Sequence, residues 1–122
     1  MANDFKRFTK PDVGTSTGAS ADAVYTVPAG AGSTALESIV IGITLANKAS
    51  TGVTADVFLD NEDGSNDVYI VKGASIPAGS SLEVMAGNKL VVQNDGSNAD
   101  VLRVTCGTAS SLDATISVLE DV

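Results

Sequence analysis

Apolar and polar residues alternate with a period of two along most of this chain, the pattern of strands half-buried in a sheet. The longest such stretch is Leu36–Asn47: Ile39, Ile41, Ile43 and Leu45 share one face, and Val40, Gly42, Thr44 and Ala46 share the other. Both faces are apolar or small, which predicts a central, mostly buried strand with the first set lining the interior. Further strands are predicted over 23–27, 53–59, 68–71, 82–85, 90–93, 101–106 and 112–119. In the second of these, Val53, Ala55, Val57 and Leu59 oppose Thr54, Asp56 and Phe58, which reads as half-exposed. Pro-Ala-Gly and Asp-Gly clusters separate the strands, and Asp-Gly is a favoured hairpin centre. No window holds an amphipathic helical stripe. About eight short strands with frequent turns predict an all-β fold, an antiparallel β-sandwich of jelly-roll-like form.

The first 22 residues break the pattern. They open with Phe5, Lys6, Arg7, Phe8 and Lys10, pass Pro11, and run into a Gly/Ser/Thr/Ala stretch without apolar periodicity. The expected organisation is an extended N-terminal arm over 1–22 and a sandwich domain over 23–122. Two aromatics interleaved with three cations suit a tether that anchors in a partner's groove. Phe5, Lys6, Arg7, Phe8 and Lys10 are therefore the candidate partner-binding residues.

Composition narrows the function. The chain has 122 residues, enough for one domain with its own core, and only 4% of them are aromatic, with no Trp. The core must be Val, Ile, Leu and Ala. The net charge of −8 lies on the body, because Asp4, Asp12 and Asp22 cancel the cations of the first 22 residues. Nucleic acid is not an expected partner for so acidic a body. The longest apolar run, IVIGITLA, is far too short for a membrane span, and MANDFKRFTKPDV has no apolar segment of signal-peptide type. Without His, the commonest general base and metal ligand is missing, and the single Cys106 has neither a disulfide partner nor an imidazole to activate it. Cys106 is in phase with Leu102 and Val104, so it reads as a core residue. No enzyme activity, cofactor or metal is expected.

Three strings invite a sharper reading. GAGSTA (30–35) loosely matches a dinucleotide fingerprint but precedes a strand rather than a helix. DNEDGSND (60–67) resembles a calcium loop, yet Leu59 and Ile70 would fill the first and last ligand positions. A looser cation site from Asp60, Glu62, Asp63 and Asp67 stays open beside a plain hairpin turn. VPAGAGSTALES (27–38) is echoed by IPAGSSLEV (76–84), either as a duplication or as two independent turns.

YTVPAG (25–30), the run 39–47, VYIVKGASIPAGSSLEVMAGNKLVVQ (68–93) and SSLDATISVLE (110–120) together resemble a group of small tailed-phage virion proteins. The opening FKRFTKPDVGTST is similar to relatives in phages of marine bacteria, cyanobacteria included. The resemblance implies a non-enzymatic virion structural protein, made in the host bacterial cytoplasm and residing in the virion. Its first expectation is a capsid decoration (cement) protein that binds the major capsid protein or other virion proteins. Such proteins are often homo-oligomers, trimers among them. The alternatives are a tail, baseplate or head-fibre component, or a host-surface carbohydrate-binding module, which the lack of Trp disfavours. The group carries no catalytic residues to transfer.

Overall fold

The computed structural model describes residues 3–60, 67–85 and 87–121. Nine strands run through them: β1 (Asn3–Lys10), β2 (Asp22–Thr26), β3 (Leu36–Asn47), β4 (Val53–Asp60), β5 (Asp67–Ile76), β6 (Ser81–Glu83), β7 (Leu90–Asn94), β8 (Val101–Cys106) and β9 (Leu112–Asp121). The one helical element among these residues is a single 3-10 turn at Gly18–Ser20. All pairings are antiparallel, and they nest. β4 pairs with β5, β3 with β6 and β7, β2 with β8, and β1 with β9. Rolling that nested hairpin adds β3 against β9 and β4 against β8. The result is two facing sheets, β1-β9-β3 with β6 and β7 sharing the far edge, and β2-β8-β4-β5. This is a jelly roll, as the turn spacing led us to expect.

The first correction concerns the start of the chain. Residues 3–10 are not a free arm: they form an edge strand paired with β9 from Asn3↔Asp121 to Lys10↔Ala114. The connection behind them is also pinned. Val13 is fully buried, its N–H donates to Leu112 O at 2.8 Å, and Gly14 O accepts from Cys106 N at 3.2 Å. Only the eight later strands were foreseen, because β1 has few apolar residues and one open edge.

The second correction concerns β3. A β-bulge lies between Val40, opposite Val118, and Gly42, opposite Ser117. The extra residue, Ile41, has no partner, and the side-chain phase shifts there. Before the bulge Ser38 and Val40 face inward; after it Ile43 and Leu45 do. Ile39 is therefore half-buried and Ile41 is 38% exposed, whereas Val40 is sealed. The expectation that all four of Ile39, Ile41, Ile43 and Leu45 line the interior holds only for the last two.

The core between the sheets is aliphatic, with Tyr25, Met85 and Cys106 as additions. Phe58 is the other departure. It is 1% exposed on the outer side of the second sheet, where its ring lies 5.2 Å from Tyr69. The ends of the roll are tied by buried asparagines. Asn47 Nδ2 donates to the carbonyls of Thr51 and Ile76, and Asn94 Nδ2 to that of Val27, all at 2.9 Å. The two Pro-Ala-Gly strings form different turns: Ser33 N closes on Gly30 O, while Ser80 N closes on Pro77 O. Gly30 thus opens one turn, and Gly79, at φ 69°, is the left-handed corner of the other. Independent turns describe them better than a duplication.

The bulge makes a stability prediction. Ile43→Ala should cost about 2–5 kcal/mol, as deletion from a sealed core does. Ile41→Ala should cost less than about 1 kcal/mol. Urea denaturation of the two variants checks this; equal losses would contradict the shifted phase.

Candidate functional site

β1 divides the five candidate residues between two faces. Phe5 and Arg7 point outward and are exposed, Phe5 to 77%. Lys6, Phe8 and Lys10 lie on the inner side of the strand. Phe8 is half-buried against the core, its ring 4.7 Å from that of Tyr25. The aromatic–cationic cluster expected to act together is therefore split. Phe8 is a packing residue, and Phe5 is the free aromatic.

Lys6 is likewise engaged. Its Nζ lies 2.9 Å from Glu120 Oε1, on a carboxylate that is 1% exposed. Glu120 Oε2 accepts a 2.7 Å hydrogen bond from Tyr25 OH, which also meets Ser38 Oγ at 2.8 Å. A buried carboxylate is tolerated only when its oxygens are met by donors or an opposite charge; here Lys6 of β1 and Tyr25 of β2 meet them, and Ser38 of β3 bonds the tyrosine hydroxyl. Burial pushes the Tyr25 hydroxyl well above its ordinary value, so it remains a donor. The bond to Glu120 and its charge hold the Lys6 ammonium above its usual value. The sequence offered no signal for this cluster, because Glu120 sits among acidic residues at the end of a strand.

Two surface hollows lie on the described structure. The larger, about 280 Å³, is lined by Thr15, Thr17, Thr54, Asp56, Thr105 and Gly107, with Cys106 behind. Asp56 is already committed to the Gly73 N–H at 2.6 Å and to Lys72 at 3.3 Å. Burial raises the Cys106 thiol, whose Sγ donates to Val13 O and Thr108 O at 3.3 and 3.2 Å. It is a core thiol, as its phase suggested. The second hollow, about 220 Å³, lies where Lys10 and Pro11 meet Asp113 and Thr115. Beside it, Lys48 pairs with both Asp12 and Asp113, holding Asp113 below the usual carboxylate range with help from the Asp12 N–H.

Of the acidic loop, Asp60 accepts from Arg103 Nε at 3.0 Å and stands opposite Asp67 in the ladder. Glu62 and Asp63 lie outside the described residues, and so does the heart of the loose cation site. Residues 30–35 are a turn leading into β3, with no helix beyond them.

No protein-family model matches the chain, and no curated protein does. Among solved structures, one similar chain belongs to a structure of infectious bursal disease virus, Gx strain. The likeness has a TM-score of 0.39 at 14% identity and covers 95% of this chain. The present chain spans 33% of that one's length.

Three outcomes are expected. Tyr25→Phe leaves Glu120 Oε2 without its donor and should cost about 1–3 kcal/mol in denaturant melts. Cys106 should resist alkylation in the folded protein and react on unfolding, as mass spectrometry under native and denaturing conditions would show. A lowered Asp113 value means that its contribution to stability is present above the ordinary carboxylate range. That contribution is lost as pH falls through the lowered value. Lys48→Met should therefore flatten the acid limb of the stability–pH curve.

Proposed function

We propose that the protein is a bacteriophage virion structural protein, with no enzymatic role, that decorates the assembled capsid. One observation carries this reading. The large apolar side chains most exposed to solvent (Phe5, Ile41, Val68, Tyr69 and Val91) stand on the open surfaces of the sheets. The hollows, by contrast, are small and lined mostly by threonines and charged groups. Adhesion through a flat surface fits that distribution better than capture of a small molecule in a cleft. The strings that resemble phage virion proteins support it, since they supply the strands and turns of the roll.

Physical chemistry favours the same role. A net charge of −8 keeps a subunit made in many copies soluble before assembly. The edges are guarded against unwanted strand pairing. β1 carries Lys6, Arg7 and Lys10, and β5 is broken by two bulges, one of them at Gly73 with φ 65°. A carbohydrate-binding module is the less favoured reading. Tyr69 is the one exposed Tyr, and its ring already packs against Phe58 and lies 4.6 Å from Lys72 Nζ.

Quantitative mass spectrometry of purified virions tests the assignment. A copy number matching the capsid lattice is expected. A few copies per particle would point to a fibre or baseplate, and absence from the particle would overturn the virion role.

A further inference from the structure

The first strand is lightly held. Among the described residues its ladder is with β9 alone, and its other edge is open. Of its two phenylalanines, Phe5 is exposed and Phe8 only half-buried. A segment that buries so little opens at a fraction of the free energy that unfolds the whole domain.

The joint behind it is weak as well. Lys10 stands opposite Ala114, and the Val13 N–H donates to Leu112 O, so Pro11 and Asp12 together face the single Asp113. Two residues against one make a bulge. Pro11 has no N–H, and the Asp12 N–H donates to Asp113 Oδ1 at 3.0 Å instead of to the ladder. Asp12 holds φ at 53°, the left-handed region that is costly for an L side chain. Lys48 clips the bulge by pairing with Asp12 and Asp113, but all three side chains are well exposed, and such pairs contribute little. Beyond the joint the chain is fixed again, Val13 to β9 and Gly14 to β8.

Lifting β1 at this joint would uncover a site of defined chemistry: the bare backbone edge of β9, the Glu120 carboxylate and the Tyr25 ring. The strand that fits it carries a cation and an aromatic on one face two residues apart, as Lys6 and Phe8 show. A second copy of this chain brings that strand. Charge draws it in. Residues 1–10 hold three cations and one carboxylate, a balance of +2, whereas residues 11–122 hold four cations and fourteen carboxylates, a balance of −10. On exchange the ladder, the Lys6–Glu120 pair and the Phe8–Tyr25 contact all re-form. The closed and exchanged forms therefore differ chiefly in the bulge and in the entropy of association, and short hinges under strain favour exchange.

We propose that β1 is an exchangeable strand: two copies open at Pro11–Asp12, and each lays its Asn3–Lys10 on the other's β9 to form a twofold dimer. The proposal stands whether or not the virion reading does.

The test refolds the full chain from urea at low and at high concentration and reads the dimer by sedimentation. Asp12→Val and Asp12→Gly both lose the pair with Lys48, but only glycine holds a positive φ without strain. The valine variant should therefore dimerise at least about tenfold more tightly than the glycine variant. Lys48→Met, which unclips the bulge, should also raise the dimer above wild type. Circular dichroism confirms folding of each. A Phe5→Cys, Leu119→Cys double variant identifies the strand, since these residues face each other in the ladder and come within disulfide reach. Oxidised after refolding, its dimer fraction should give covalent dimers on a non-reducing denaturing gel. A dimer that yields only internally linked monomers would overturn the exchange. So would equal association of the two Asp12 variants, or the absence of any dimer from Lys48→Met at high concentration.

Discussion

A strand at a sheet edge leaves one row of backbone groups unpaired until a neighbour joins it. In this protein the last strand gains that neighbour through the ladder between Asn3–Lys10 and Leu112–Asp121. Much of the remaining architecture depends on it. With β1 in place, β9 becomes an inner strand bonded on both sides, and its inward row Leu112, Ala114, Ile116 and Val118 is sealed. The buried Glu120 acquires its counter-ion only because Lys6 arrives on the same strand. The Phe8 ring covers Tyr25, whose hydroxyl is the other partner of that carboxylate. An apolar substitution for such a cluster is often as stable, so the cluster is better viewed as fixing register. A one-residue slip of β1 would turn Lys6 outward and strand Glu120.

The same pairing changes what the N-terminal segment can do. As a free arm, Phe5, Lys6, Arg7, Phe8 and Lys10 would move together as one motif. As a strand, alternation separates them, and each becomes part of a different surface. Phe5 then gains meaning from neighbours that are remote in the chain, Leu119 and Ile39, and not from Phe8 three residues away.

The β3 bulge works in a comparable way. By inserting Ile41 it lets one strand serve two registers, with β7 beside its first half and β6 beside its second. It also sets Ile39 and Ile41 on the outer side of the strand, while Ser38 and Val40 take the inner positions.

The fold class was legible from the chain because period-two alternation and turn residues are local properties. Strands β2 to β9 need only their own residues to announce themselves, and the Asp95-Gly96 hairpin, with Asp95 Oδ1 accepting from Ser97 N and Asn98 N, forms where its dipeptide stands. The burial of Cys106 followed from the same phase. The candidate surface was only partly legible: Phe5 was singled out, but for membership in a tether. What tertiary structure alone decided is everything that depends on pairing at long range. The status of β1, the phase of β3 after its bulge and the partners of Glu120 all come from registers between residues as far apart as Phe5 and Leu119. A register is fixed by which faces can be buried together, and no stretch of sequence carries that information by itself.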